Sequence, residues 1–199
     1  MIAIVDYGMG NLRSVQKALE FIGERVQITS DAADIFRADR VILPGVGAFR
    51  DAIQALHEKE LSKAFVAAVN EGKPALGICL GMQLLFEQSD EFGQYAGLGL
   101  LPGRITRIQS RGQKIPHIGW NRVEARGDSP LLRGMDSAYF YFVHSLCAQD
   151  AQSSHVAGVC QYGESFAALV HHKNLHGAQF HPEKSGEAGL MLLRNFAAL

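Results

Sequence analysis

The sequence is short of cysteine, of any excess of charge, and of long apolar runs. Three cysteines in 199 residues, an odd number, give no disulfide framework and fit a reducing cytoplasm, with Cys147 and Cys160 read as small fillers. Nineteen basic against twenty acidic residues leave a formal net charge of −1 without a basic run, which argues against nucleic acid as a partner. No stretch approaches the roughly 18 consecutive apolar residues of a membrane span. The N-terminus enters an apolar run at once, without a basic region or cleavage site, so secretion and membrane insertion are both disfavoured. Repeats, linkers and low-complexity segments are also missing. The length fits one domain, residues 1–199, able to bury roughly 70% of the surface its unfolded chain exposes.

What is present is alternation. Residues 2–5 form a short apolar run that ends in Asp6-Tyr7-Gly8, consistent with a buried parallel strand. Leu12, Val15, Leu19 and Ile22 carry the apolar stripe of a first helix, which Gly23 ends. Residues 26–28 read as a second strand, Ser30 or Asp31 caps a short helix, and residues 40–43 read as a third strand entering Pro44-Gly45-Val46-Gly47. Residues 49–70 look helical with a break near 57–60, and Glu71-Gly72-Lys73-Pro74 precedes another apolar strand. Such alternation implies an α/β fold, a mostly parallel twisted sheet with helices on both faces and ligands outside the carboxyl ends of the strands. From 104 to 159 the texture changes to short β-prone runs with turns at 111–113, 126–128 and 133–134, read as appended antiparallel strands. Residues 166–171 and 175–180 suggest a hairpin around Lys173-Asn174, and 186–199 a closing helix.

The chemistry concentrates in two stretches. In Gly77-Ile78-Cys79-Leu80-Gly81 a cysteine stands at a strand-to-helix turn, and the flanking glycines permit a bend that a Cβ would resist, as in nucleophile elbows. At a helix start, unpaired N–H groups favour the Cys79 thiolate, and the Leu80 amide can donate to an oxyanion. The glycine-freed backbone of Val46 and Gly47 is the natural second donor. Read alone, the same motif also fits a buried structural cysteine. In His181-Pro182-Glu183 the proline fixes its own φ and pushes His181 towards extended backbone, so the tripeptide should be β-like with both flanking side chains on one face. Glu183 then orients His181, which shuttles the proton of Cys79. Alone, it equally fits a surface turn.

Other motifs point to weaker readings. Gly8-Met9-Gly10 lacks the third glycine of a dinucleotide loop, since Arg13 stands where it should be. Eight histidines invite a metal, but adjacent His171 and His172 on a strand point to opposite faces, so no metal site is expected.

Together the elbow and the late His-Pro-Glu resemble the class I (triad-type) glutamine amidotransferases over essentially the whole chain. Within that class the chain is most similar to glutaminase subunits of imidazole glycerol phosphate synthases. The resemblance is carried by Asp6-Tyr7-Gly8-Met9-Gly10-Asn11-Leu12-Arg13-Ser14, Leu43-Pro44-Gly45-Val46-Gly47-Ala48-Phe49, Pro116-His117-Ile118-Gly119-Trp120-Asn121 and Tyr141-Phe142-Val143-His144-Ser145. Ile118, where methionine is usual, and Leu146, where an aromatic commonly follows His-Ser, depart from the pattern.

The resemblance implies a flavodoxin-like class I amidotransferase domain with a Cys79, His181 and Glu183 triad, no cofactor, and glutamine as substrate. It implies glutamine recognition by Gly47, Gln83, Glu91 (for the α-amino group), and His144 and Ser145 (for the carboxylate, through backbone or side-chain donors). It also implies a heterodimer with a (β/α)₈-barrel cyclase in histidine biosynthesis, which receives the ammonia. Asn11, Trp120, Asn121 and Lys184 are the expected interface residues, Lys184 pairing with a cyclase carboxylate. Rival readings are amidotransferase subunits of other pathways, a cysteine hydrolase of another amide, and a non-catalytic flavodoxin-like regulator.

Overall fold

A computed structural model describes residues 1–149, 151 and 153–199. In chain order its elements are β1 Ile2–Val5, α1 Leu12–Phe21, β2 Val26–Thr29, α2 Ala32–Arg37, β3 Arg40–Leu43, α3 Phe49–Glu58, α4 Leu61–Asn70, β4 Ala75–Ile78 and α5 Leu80–Gln83. There follow β5 Phe86–Ser89, β6 Tyr95–Ala96, β7 Leu101–Arg107, β8 His117–Ala125, β9 Ser137–His144, β10 Leu146–Gln149, β11 Val156–Tyr162, β12 Glu164–His172, β13 Leu175–Ala178 and α6 Gly186–Ala197.

The expected signals locate the first half closely. Asp31 caps α2 by accepting from the Ala33 amide at 2.8 Å, Glu60 takes a left-handed φ of 55° between α3 and α4, and Gly23 (φ 92°) follows α1. The principal sheet has the order β2-β1-β3-β4-β13-β12-β11-β8-β9. Its first five strands run parallel, with Val41 opposite Ala75 and Ala178 opposite Ile78, and the remaining four pair antiparallel. Alternating side chains bury both faces. Ile2, Ile4, Ile42, Leu76 and Ile78 pack with Val15 and Leu19 of α1 and Leu192, Leu193 and Phe196 of α6. Val5, Val41, Leu43 and Ala75 pack with Ile35, Phe49, Leu56, Leu61 and Phe65 of α2 to α4.

The strands read as one antiparallel appendage divide into two groups. β8, β9 and β11 extend the principal sheet through β12, whereas β10, β7, β5 and β6 form a second sheet in which β5 and β7 are parallel. That second sheet is reached early because α5 is a single turn, ending at Gln83 rather than running on through Phe86. The chain moves from β1 outward to β2 and back across β1 to β3, so the order reverses between β1 and β3. The carboxyl ends of β1, β3 and β4 therefore border the crevice where such sheets hold ligands.

Candidate active site

Three loops meet there. A Cβ on Gly10 would lie 3.4 Å from Pro44, and one on Gly47 (φ 102°) 2.7 Å from Met9 Cε, so the loop after β1 packs directly on the loop after β3. The elbow after β4 presses on the same loop. An added Cβ on Gly81 would lie 1.8 Å from the Leu43 carbonyl oxygen, and one on Gly77 2.6 Å from the Gly81 oxygen. Neither of these glycines has a positive φ; the left-handed backbone falls on Cys79 itself, at φ 55° and ψ −109°. The sequence reading is thus corrected in its reason. The flanking glycines allow close approach of backbones, and the strain sits at the cysteine, which the surrounding packing must hold in place. The Cys79 amide donates to the Ala178 carbonyl at 2.7 Å, tying the elbow to the strand that leads to His181.

His181 is extended (φ −101°, ψ 97°), but Pro182–Lys184 close a 3₁₀ turn instead of continuing a strand, with the Lys184 amide bonded to the His181 carbonyl at 3.1 Å. Proline suits the first position of such a turn, where its missing N–H costs nothing. The turn, not a shared strand face, brings Glu183 Oε1 to 2.8 Å from His181 Nδ1, with both side chains almost wholly buried. Among the described residues Nε2 of His181 is buried with no hydrogen bond of conventional geometry, yet Cys79 is near enough to bear on its charge. Burial works against the charged ring, but the interactions with Cys79 and then Glu183 outweigh it and raise the pKa from 6.5 to about 9. At neutral pH the ring carries its second proton. Cys147 and Cys160 are also buried, and their thiols are pushed up to about 12, first by burial, which leaves them poor nucleophiles.

A cavity of about 310 Å³ opens beside the elbow, and Val46, Gly47, Cys79, Leu80, Gln83, Glu91, His144 and Ser145 all line it, with Pro116, Val143 and Leu146. Its size fits a small metabolite. Several expected roles change in detail. The Leu80 amide donates to the Gly45 carbonyl at 3.3 Å, so this oxyanion donor is engaged in the resting structure. Gln83 does not face solvent; its Nε2 donates to the Leu146 carbonyl and to Gln179 Oε1, each at 3.1 Å, leaving only its oxygen for a ligand. Glu91 accepts from the Phe49 amide at 2.6 Å through one oxygen, leaving the other. His144 spends Nδ1 on the Leu146 carbonyl (2.8 Å) and Nε2 on His117 (2.9 Å), so its ring is not free to meet a carboxylate, and Ser145 with the adjoining backbone is what remains.

The interface candidates separate. Asn11 heads α1 at the carboxyl edge of β1. Trp120 is 56% exposed, packs edge-on to Tyr141, and has Ile118 and Tyr139 exposed nearby on the same two strands. Lys184 is exposed, 5.9 Å from the Tyr141 ring centroid, and pairs with no carboxylate among the described residues. Asn121 turns the other way: its amide donates to the Gln161 carbonyl at 3.2 Å and meets His117 Nε2 at 3.4 Å, because neighbours on a strand point to opposite faces. Sequence reasoning missed Gln179, fully buried and 3.9 Å from Cys79 Sγ, although a lone glutamine inside an apolar run was a usable signal. It also missed His117. Among the described residues no group of three or more His, Cys, Asp or Glu side chains could hold a metal, and no helix is long and apolar enough to cross a membrane.

Comparison with known proteins finds relatives over nearly the whole chain. Solved structures described as a glutamine amidotransferase (TM-score 0.78, 18% identity, covering 99% of this chain and 100% of that one) and as PurLQS from Thermotoga maritima (TM-score 0.79, 22% identity, 99% and 97%) share the fold. Proteins named imidazole glycerol phosphate synthase subunit HisH are similar over nearly the full length. Those of Bacillus cereus and Desulfitobacterium hafniense are 51% identical over 98% of this chain and 93% of the relative, and that of Syntrophotalea carbinolica is 46% identical over 98% of each. The model of the glutamine amidotransferase class-I family matches residues 3–198, and with the cysteine elbow, the buried His–Glu pair and relatives at half identity, the chain belongs to that family.

Proposed function

We propose that residues 1–199 act as one amidotransferase domain that hydrolyses the γ-carboxamide of glutamine to glutamate and ammonia. The chain would serve as the glutaminase subunit of a cytoplasmic imidazole glycerol phosphate synthase, passing ammonia to a (β/α)₈-barrel cyclase in histidine biosynthesis. The observation that carries the reading is Cys79 at φ 55°, facing a cavity and influenced by a buried His181 whose Nδ1 is held by Glu183 at 2.8 Å.

With His181 protonated, Cys79 reacts as thiolate. Its sulfur attacks the carboxamide carbon, and the carbonyl π electrons move to oxygen. As the tetrahedral adduct collapses, the C–N bond breaks and His181 gives its proton to the leaving nitrogen, releasing ammonia and a γ-glutamyl thioester. His181, now neutral, takes a proton from water, hydroxide adds to the thioester, and glutamate leaves as the thiolate returns. Glu183 keeps the ring oriented and stabilises its charge throughout.

The oxyanion needs a donor, and the Leu80 amide is occupied by the Gly45 carbonyl. Turning the Gly45–Val46 peptide would free that amide and swing the Val46 N–H towards the cavity, so the resting chain is expected to be slow alone and faster when a bound partner favours the turned peptide. The exposed Trp120, Ile118, Tyr139 and Lys184 face is the proposed docking surface, to which Asn11 at the head of α1 is added. The test is turnover of the chain with its cyclase. Cys79→Ser should abolish the glutamine-dependent reaction and keep the ammonium-dependent one; loss of both in an assembled complex would count against the reading.

A further inference from the structure

His117 lines neither the cavity nor any surface: it is 2% exposed in β8, with its ring between Tyr162 (centroids 3.9 Å, planes 19° apart) and Phe142 (4.7 Å, 23°). An apolar aromatic ring would stack between Tyr162 and Phe142 as well, so the nitrogen atoms need an account. We infer that His117 is a positioning residue for glutamine binding, acting through His144 to fix the Ser145–Leu146 main chain at the wall of the cavity. The inference rests on the proposed glutaminase reading and deepens it.

The hydrogen bonds have only one consistent direction. The Leu146 carbonyl can only accept, so His144 Nδ1, 2.8 Å away, carries the proton. Burial depresses His144 to about 3 and His117 to about 4, so both rings are neutral at pH 7 and each has one N–H. His144 Nε2 is then an acceptor, and His117 Nδ1, 2.9 Å away, is its donor. His117 Nε2 in turn accepts, and the Asn121 amide stands 3.4 Å from it. A chain of donors thus runs from Asn121 through two imidazoles to one carbonyl, each bond polarising the next.

The receiving carbonyl is a junction. Leu146 O also accepts from Gln83 Nε2 at 3.1 Å; Gln83 bonds Gln179, whose Nε2 lies 3.9 Å from Cys79 Sγ. Two donors on one oxygen hold the main chain at Leu146, and Ser145 and Leu146 both line the cavity. Without the His117 donor, the His144 ring loses the partner that fixes its tautomer, and Gln83 is left as the side-chain donor to that carbonyl, beside the backbone pairing of Ser145 and Leu146 with Ile108 and Arg107.

The experiment separates the nitrogen from the ring. In the complex with its cyclase, glutaminase KM and kcat are measured for wild type, His117→Phe, His117→Asn and His117→Gln, together with Tm and the rate of Cys79 alkylation by iodoacetamide. Asparagine puts an amide where Nδ1 was; glutamine puts it near Nε2; phenylalanine keeps only the ring. His117→Phe and His117→Gln are expected to raise KM for glutamine about tenfold, the worth of about 1.4 kcal/mol for one net hydrogen bond. Their kcat and alkylation rates should stay within about threefold of wild type, and His117→Asn should restore KM. If His117→Phe does not fold, the Asn and Gln pair carries the comparison. A wild-type KM in His117→Gln, or equal rises in KM for Asn and Gln, overturns the inference. A wild type that hydrolyses no glutamine overturns the functional reading and this inference with it.

Discussion

Replacing Gly81 by alanine tests the packing reason given for the elbow. The new Cβ would sit 1.8 Å from the Leu43 oxygen and 2.8 Å from the Leu43 carbon, where real Cβ contacts are essentially never under 3.0 Å. The difference means that the start of α5 and the end of β3 must part by roughly 1.2 Å. Both sides are backbone, one in the central sheet, so neither can yield as a flexible side chain would. Overpacking costs typically 1–3 kcal/mol, and rigid neighbours place this case at about 3 kcal/mol. For a chain of this size that lowers Tm by roughly 6–12 °C. The same displacement carries Cys79 and the Leu80 amide, and about 1 Å of misplacement costs about a hundredfold in rate. Gly72→Ala is the control: its φ is 87° with nothing among the described residues within 4 Å of an added Cβ, so it incurs left-handed strain of about 1 kcal/mol without a clash. Thermal unfolding and glutaminase rates of both variants decide the matter. If Gly81→Ala melted with Gly72→Ala and kept wild-type activity, the close-approach account of the elbow would be wrong.

His181→Ala should be nearly as damaging as loss of the thiol, whereas Glu183→Gln should leave a larger residual rate, because His181 moves protons in every step and Glu183 only orients and stabilises; single-turnover kinetics distinguish the two. The pH dependence of stability has a definite sign. The folded pKa of His181, about 9, lies above its unfolded 6.5, so its contribution is fully present below pH 6.5 and is lost as pH rises to about 9. Urea unfolding of wild type should weaken across that window, with the slope reduced most in Cys79→Ala and less in Glu183→Gln; slopes unchanged in both variants would refute the assignment. Lys184→Ala should weaken stimulation of the glutaminase by the cyclase more than it changes the unstimulated rate, since loss of one member of a partly buried interfacial pair costs about 2–5 kcal/mol. Equal stimulation in both would remove Lys184 from the interface.

Local signals made the parallel core legible. A four-residue apolar run before Asp6, the helical stripe of Leu12, Val15 and Leu19, and the strand before Cys79 each announce themselves within a few residues. The sorting of the later strands did not, because whether β7 pairs with β5 or joins β8 depends on partners some fifteen residues or more away. The site was legible by residue type more than by conformation. His181 and Glu183 meet as expected, but through a 3₁₀ turn, which proline permits as readily as extended backbone. Gln83 and His144 reach the cavity, yet their hydrogen bonds are taken by Gln179, Leu146 and His117, and pairings of that kind across as many as 96 positions leave no local trace. Asn121 faces inward because strand alternation separates it from Trp120, a consequence of the β8 register.

The central claim is that Cys79 carries the glutamyl group. The direct measurement is to mix the chain, docked on its cyclase, with glutamine, quench in acid within one turnover, and map the mass of the peptide holding Cys79. Slowing the later hydrolysis with Glu183→Gln should make the adduct easier to collect. A glutamyl thioester on Cys79, formed at the rate of ammonia release and missing in Cys79→Ser, is the predicted result. Ammonia released from glutamine with no adduct on Cys79, or at an undiminished rate by Cys79→Ser, would contradict it.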